Sequence, residues 1–152
     1  MTKIVVRKSA RVLELWDGPV LAARFLVGLG PSPEGRKQQA GDGKTPEGEY
    51  YVCTRNDHSR YYLSLGVSYP NKLDAGAARD SGLIDQLTHD AIVRAIDERR
   101  RPPWGTKLGG EIMIHGHGGA GDWTAGCVAV DDDVMDILWQ TCPIGTAVEL
   151  RP

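Results

Sequence analysis

The sequence predicts a mixed α/β fold that is mainly β, in which a curved β-sheet or β-sandwich carries two packed helices. The 152 residues include 19 glycines and 9 prolines, which favour turns and loops over a helical bundle. Short runs rich in β-branched and aromatic residues recur along the chain. Hydrophobic residues make up 41% and charged residues 25%, so residues 1–152 are expected to form one globular domain.

The β prediction depends on eight short segments, at 3–7, 11–16, 20–29, 49–54, 61–67, 111–115, 128–130 and 147–150. Short turn dipeptides separate the first three segments, of which the first two are predicted to form a hairpin and the third to extend the pattern as a further strand. Residues 30–48 are rich in Gly, Pro and polar side chains and are predicted to form a long loop. Loops of that length in a compact domain are usually functional.

Two helices are predicted from apolar residues at helical spacing. The first starts at Thr88 as N-cap, and its apolar face contains Ile92, Val93 and Ile96. Arg99-Arg100-Arg101 is expected at its C-terminal end, where cations favour the helix dipole, before two prolines stop it. The second helix is capped by Asp131 and buries Met135, Ile137, Leu138 and Trp139.

Composition excludes several classes of function. The net charge of -2 gives no electrostatic case for binding nucleic acid or an anionic membrane. No apolar run approaches the roughly 18–20 residues of a transmembrane helix, and the N-terminus does not resemble a signal peptide. Cys53 and Cys142 are expected to be buried free thiols, with a Cys53–Cys142 disulfide as the alternative.

The residues best suited to chemistry are His115, His117 and Cys127, which follow strands or lie in glycine-rich loops. A cysteine thiol has a pKa of about 8.5 and needs a partner such as histidine to become a good nucleophile near neutral pH. Gly126 permits an unusual backbone angle beside Cys127, where backbone N–H groups could face a developing oxyanion. The imidazole of His115 is expected to be oriented by a third group.

Two alternatives stay open at this point. The group that orients His115 is either the backbone carbonyl of Gly116 or the carboxylate of Asp122. A zinc site is the rival to a cysteine nucleophile, with His115, His117 and Cys127 as ligands of a zinc-dependent amidase. No C-x-x-C or H-x-x-x-H spacing supports that site.

The chain resembles the L,D-transpeptidase catalytic domain of the YkuD type. The motif of that family is His-Gly after an apolar strand and then Ser/Thr-x-Gly-Cys, which here are His115-Gly116 and Thr124-Ala125-Gly126-Cys127. One branch of the family also has Asp-Trp before this motif, as at Asp122-Trp123. Residues 42–48 (Asp-Gly-Lys-Thr-Pro-Glu-Gly) and 62–71 resemble two further family blocks. Ala125 and Ala129 depart from the family, since many members have His and Arg there.

The resemblance implies a YkuD-like fold and acyl transfer on peptidoglycan stem peptides. Cys127 would attack the carbonyl of the third stem residue and form a thioester, which then passes to an amine or to water. The family therefore implies an L,D-transpeptidase or a related L,D-carboxypeptidase or endopeptidase, with His115 as general base and then acid. Gly126 and Gly116 would serve as oxyanion or orienting groups. Substrate contacts are expected from His117, Asp122, Trp123, Thr124, Tyr69 and Lys44.

Each of three expected substrate contacts has an alternative interpretation. The alternatives are that His117 lines a polar loop, that Lys44 is a surface residue and that Tyr69 is a core residue. No metal or organic cofactor is needed for this chemistry. A carbapenem is an expected covalent inhibitor, and the periplasm or cell envelope is the expected location. Because the chain shows no export signal, a cytoplasmic origin and delivery as a secreted effector stay open. A non-catalytic wall-binding module is the third hypothesis, disfavoured by the presence of both His115 and Cys127.

Overall fold

A computed structural model describes all residues 1–152 and confirms the mainly β fold class. Eight strands form one curled sheet in the order β3-β2-β1-β8-β4-β5-β6-β7. Their bounds are β1 Thr2–Arg7, β2 Val12–Asp17, β3 Val20–Leu26, β4 Gly48–Ser59, β5 Tyr62–Val67, β6 Met113–His115, β7 Val128–Ala129 and β8 Ala147–Arg151. The helices are α1 Lys72–Asp80, α2 Gln86–Asp97 and α3 Asp132–Thr141, so there are three rather than the two predicted.

Most neighbouring strands are antiparallel, but β1–β8 and β6–β7 are parallel pairs. The curl of the sheet brings its two edges together. Gly28, just after β3, exchanges two backbone hydrogen bonds of 2.9 Å with Ala129 of β7. A Cβ atom at Gly28 would lie 2.1 Å from the carbonyl oxygen of Gly121, so only glycine fits this close approach. The third strand therefore ends at Leu26 and not at residue 29 as predicted.

One cluster of 26 buried residues forms the core between the curled sheet and the helices. Alternating residues such as Ile4 and Val6 of β1 face it, as the two-residue period of a strand requires. Ile92 of α2 and Leu138 of α3 close it from the other side. None of the three helices is both long and apolar enough to cross a bilayer. Cys53 and Cys142 are buried and form no disulfide.

Helix α1 was missed because its apolar content is low and Gly76 interrupts it. It is held instead by polar contacts at its start. Asn71 and Asp74 form a reciprocal capping box, and the buried Asp74 also accepts a 2.8 Å hydrogen bond from the hydroxyl of Tyr50. Such a tertiary contact between β4 and a helix is not readable from local periodicity.

The ends of the two predicted helices also differ from expectation. The N-cap of α2 is Asp85 and not Thr88, because the Asp85 side chain accepts a 2.8 Å hydrogen bond from the backbone N–H of Thr88. Residues 99–101 follow the helix, and Arg99 has a φ of 57°. Asp131 is the N-cap of α3 as predicted, but its carboxylate accepts from Gly119 N at 2.9 Å and makes no cap hydrogen bond.

Candidate active site

The turn that carries Cys127 is fixed by its own threonine. Thr124 Oγ1 accepts a 3.1 Å hydrogen bond from Gly126 N and donates a 2.8 Å hydrogen bond to Cys127 O. Gly126 has a φ of 138°, and a Cβ there would lie 2.7 Å from Lys44 O. The glycine is therefore required both by its backbone angle and by the close approach of the loop beneath it.

That loop is the segment around residues 42–48, which packs directly against the cysteine turn. The fully buried Thr45 donates a 2.7 Å hydrogen bond from Oγ1 to Gly126 O. The carbonyl of Thr45 in turn accepts a 2.8 Å hydrogen bond from Nζ of the buried Lys8, which also pairs with Glu47 at 3.0 Å. Sequence reasoning missed Thr45 and Lys8 as supports of the site, although Thr45 lies within the block 42–48 quoted for the resemblance.

The sheet register places Cys127 and His115 on the same face. Ile114 of β6 pairs with Val128 of β7, and both point into the core. Side chains alternate faces along a strand, so the residue after Ile114 and the residue before Val128 both face the opposite side. The structure therefore brings the predicted nucleophile and base to one face of adjacent parallel strands.

The thiol of Cys127 makes two contacts, and neither is with His115. Its sulfur accepts a hydrogen bond from Met113 N and donates one to Glu111 O, both at 3.4 Å. Glu111 lies two residues before β6 and has a φ of 55°, an uncommon angle for a residue other than glycine. The thiol thus rests against the backbone that leads into β6.

The imidazole of His115 is almost fully buried and is oriented by the backbone. Its Nδ1 lies 2.9 Å from Gly116 O, and since a carbonyl oxygen only accepts, Nδ1 carries the proton and Nε2 is free to accept one. This is the first of the two orienting groups that the sequence allowed. Asp122 does not take that place, because its carboxylate binds Arg11 at 2.7 and 3.0 Å and accepts from Leu29 N at 3.0 Å.

The electrostatics favour the neutral forms of both the Cys127 thiol and the His115 imidazole. Burial raises the pKa of Cys127, and the carboxylate of Glu111 raises it further, while the Met113 N–H and the Lys37 ammonium act in the opposite direction. Burial also lowers the pKa of His115. Histidine does not lower the pKa of the thiol in this resting arrangement, so the activation expected from the sequence has to come during the reaction.

Aromatic rings form a wall around His115. The ring of Tyr61 stacks on the imidazole with centroids 4.4 Å apart, and the partly exposed Trp123 lies 5.4 Å from it. Trp123 Nε1 donates a 3.0 Å hydrogen bond to Gly118 O, which fixes the indole. The ring of His117 lies edge-on to that of Tyr61, with the two centroids 5.9 Å apart. Tyr61 was not singled out from the sequence, because it lies in the turn between β4 and β5 and belongs to no motif.

Two of the expected substrate contacts are better explained otherwise. Tyr69 is fully buried, and its hydroxyl donates a 2.8 Å hydrogen bond to Leu108 O, which agrees with its core interpretation. Lys44 Nζ donates to Glu34 O at 2.6 Å, which agrees with its surface interpretation. Lys44 contributes to the site instead through its carbonyl, which lies against Gly126.

His117 is half exposed and lies beside the carboxylate of Asp132. Its backbone N–H donates a 2.8 Å hydrogen bond to Asp132, and its Nδ1 lies 3.7 Å from the same carboxylate oxygen. No group of three or more His, Cys, Asp or Glu side chains is placed to hold a metal ion. The zinc hypothesis therefore lacks the ligand set it requires.

Solved structures similar to this chain share its fold. A helical cell shape determining protein from Campylobacter jejuni aligns with a TM-score of 0.68 at 19% identity, over 98% of this chain and 46% of the other. An L,D-transpeptidase from Xylanimonas cellulosilytica aligns at 0.55 and 20% identity, over 98% and 59%. The L,D-transpeptidase LdtMt1 in complex with imipenem aligns at 0.56 and 12% identity, over 98% and 58%.

The chain thus spans about half the length of these solved proteins. A sequence comparison with curated proteins finds no match. The model of the YkuD family, described as the L,D-transpeptidase catalytic domain, matches residues 1–150. With the motif, the curled sheet and the family match in agreement, the chain belongs to the YkuD family of L,D-transpeptidase catalytic domains.

Proposed function

We propose that this protein transfers acyl groups of peptidoglycan stem peptides through a thioester on Cys127. The observation that carries the proposal is the placement of Cys127 and His115 on one face of the paired strands β6 and β7, with Nε2 of His115 free to accept a proton. The family membership supports a peptidoglycan-acting enzyme.

The first half of the reaction forms the thioester. The Cys127 side chain turns from Glu111 O toward His115, and Nε2 takes the thiol proton as sulfur attacks the carbonyl carbon of the third stem residue. The tetrahedral intermediate collapses, the C–N bond to the terminal D-alanine breaks, and His115 gives the proton to the leaving amine. The raised pKa of Cys127 and the lowered pKa of His115 favour proton transfer during attack over transfer before it.

The second half consumes the thioester. An amine of a second stem peptide, or water, attacks the same carbonyl carbon while His115 accepts its proton, and the proton then returns to the Cys127 sulfur. An amine acceptor gives a transpeptidase, and water gives a carboxypeptidase or endopeptidase. The half-exposed His117 and the partly exposed Trp123 border this face and are the side chains we assign to substrate contact.

A wall substrate places the working protein in the periplasm or cell envelope. A carbapenem presents a strained acyl group to the same nucleophile, and one structural relative of this chain was solved in complex with imipenem. We therefore expect a carbapenem to acylate Cys127.

The proposal is tested by incubating purified protein with tetrapeptide muropeptides and identifying the products by mass spectrometry. Crosslinked dimers indicate transpeptidation, tripeptides indicate hydrolysis, and both require release of D-alanine. Cys127→Ala should lose at least about 10³-fold in rate. Cys53→Ala removes a buried thiol from the same molecule and should keep the activity. Turnover that persists in Cys127→Ala would contradict the proposal.

A further inference from the structure

The strand β6 has an open backbone edge beside the nucleophile. Alternate residues of this segment direct their backbone groups toward β7, as in the 2.9 Å hydrogen bond from Val130 N to His115 O. Met113 lies two residues before His115, and Glu111 lies two residues before Met113. The N–H of Met113 and the C=O of Glu111 therefore face the same side as the C=O of His115, toward β7. They contact only the sulfur of Cys127, each at 3.4 Å.

This edge is open because β7 does not continue toward it. A parallel ladder would pair Met113 N and Glu111 O with the carbonyl and the N–H of one residue of the adjacent strand. Gly126 would occupy that register, but its N–H donates to Thr124 Oγ1 and its carbonyl accepts from Thr45 Oγ1. The N–H of Met113 in β6 and the C=O of Glu111 just before the strand thus have no backbone partner, and the Cys127 thiol is their one contact.

We propose that the Met113 backbone N–H is an oxyanion donor of this site, and that Glu111 O binds the N–H of the residue being acylated. The proposal rests on the proposed function and identifies how that site holds the reacting residue. In this arrangement the third stem residue extends the β6–β7 ladder by one residue. Its N–H meets Glu111 O, and its carbonyl oxygen, where negative charge develops, meets Met113 N.

The position of the sulfur supports the first contact. The carbonyl oxygen of a thioester lies two bonds from sulfur, so a donor that reaches Sγ at 3.4 Å is within reach of that oxygen. An oxyanion donor acts when it is aimed at the place where charge develops. The N–H of Cys127 itself donates to no other group in the structure and supplies a second donor. The N–H of Gly126, expected from the sequence to serve here, is already bound to Thr124.

The second contact follows from the proton that the thiol loses. Glu111 O accepts the thiol proton at rest, and a thiolate or thioester sulfur has no proton to donate. Reaction therefore frees this carbonyl for the substrate N–H. The thiol at rest occupies the place that the substrate backbone takes, so binding of substrate and rotation of the thiol toward His115 favour each other.

The test uses the methionines, which occur only at positions 1, 113 and 135. Protein labelled with ¹⁵N-methionine gives two backbone amide signals, because Met1 carries the N-terminal amine. Met135 N donates to Asp131 O within α3 and serves as the internal control. The Cys53→Ala/Cys142→Ala protein is modified at Cys127 either with imipenem, which places a carbonyl on sulfur, or with methyl methanethiosulfonate, which places a methylthio group there. Intact mass measures the extent of each reaction.

We expect the Met113 amide proton to lie downfield in the acyl protein relative to the methylthio protein, with Met135 at the same position in both. Equal Met113 positions in two fully modified proteins would overturn this inference and leave the proposed function standing. Failure of both imipenem and the tetrapeptide to modify Cys127 would overturn the proposed function and this inference with it.

A substrate analogue tests the Glu111 contact separately. A tetrapeptide methylated on the nitrogen of its third residue should acylate Cys127 about tenfold more slowly than the parent, the size of effect of one lost hydrogen bond. The same peptide methylated on the preceding amide is the matched control and should keep its rate. Equal rates for both methylated peptides would refute the contact with Glu111 O.

Discussion

Thr45→Val removes the hydrogen bond that joins the loop of residues 42–48 to the turn of residues 124–127. The two side chains have nearly the same shape, so the change deletes the hydroxyl that donates to Gly126 O at 2.7 Å and adds little strain. Thr45 is fully buried, and water cannot replace the lost donor. The carbonyl of Gly126 is then left without a partner one residue from Cys127.

The expected cost follows from that unsatisfied acceptor. A buried acceptor left unpaired costs about 1–3 kcal/mol in the free energy of unfolding. For a domain of this size, a central value of about 2 kcal/mol corresponds to a fall in Tm of about 4–8 °C. Thr45→Ser keeps the hydroxyl and loses one methyl group, at about 1 kcal/mol.

The assay is urea unfolding of both variants, compared where their m-values are equal, so that a change in midpoint reports a change in stability. The kcat of each variant on the tetrapeptide substrate is measured alongside. We expect Thr45→Val to lower both stability and kcat, and Thr45→Ser to lower stability alone. Thr124→Val removes the other hydroxyl bound to the Gly126 peptide, so a double-mutant cycle with Thr45→Val should give a coupling energy of at least about 0.5 kcal/mol.

A Thr45→Val protein whose unfolding free energy equals that of the wild type would refute this reasoning. Additivity of the two valine substitutions within about 0.3 kcal/mol would show that the loop and the turn act independently.

Three further predictions concern charge. Glu111→Gln removes a carboxylate that raises the pKa of Cys127, so the midpoint of alkylation by iodoacetamide should move to lower pH; an unchanged midpoint would contradict the assigned cause. The pH profile of kcat/KM should fall on the acid side at a pH below about 6.5, since burial lowers the pKa of His115 and its protonation removes the base. It should fall again on the alkaline side, at a pH above the ordinary pKa of a thiol, since burial raises the pKa of Cys127 and its ionisation removes the proton that the leaving amine needs. An acid limb that His115→Ala leaves in place would argue against a histidine base. Asp122→Asn breaks a part-exposed ion pair with Arg11 and should cost less than about 1 kcal/mol in urea unfolding, with a larger loss pointing to a role beyond anchoring the turn.

The elements with a clear local pattern could be predicted from the sequence. The eight strand segments follow alternation and β-branched content, and α2 and α3 have apolar faces at helical spacing. Helix α1 could not be found in this way, because the Asn71–Asp74 capping box and the bond from Tyr50 hold a segment with little apolar surface. The N-cap of α2 was misplaced by three residues for a related reason, since both Asp85 and Thr88 are good cap residues and only the backbone geometry decides between them.

Only those residues of the site that lie in a recognisable sequence motif could be predicted. The Cys127 turn and the His115 strand could be located from sequence, but their mutual placement depends on the parallel pairing of β6 and β7. Tyr61 reaches His115 from the turn between β4 and β5 and carries no motif of its own. Burial raises the pKa of the thiol and lowers the pKa of the imidazole, and no spacing in the sequence records burial.

The central claim is that His115 serves as base for acylation of Cys127. It is tested most directly by the rate at which the tetrapeptide modifies Cys127, followed by intact mass in the Cys53→Ala/Cys142→Ala protein with and without His115→Ala. We predict an adduct of the donor minus D-alanine on Cys127, formed at least about 10²-fold more slowly when the imidazole is absent. Equal rates with and without His115, or an adduct on any other residue, would contradict the account.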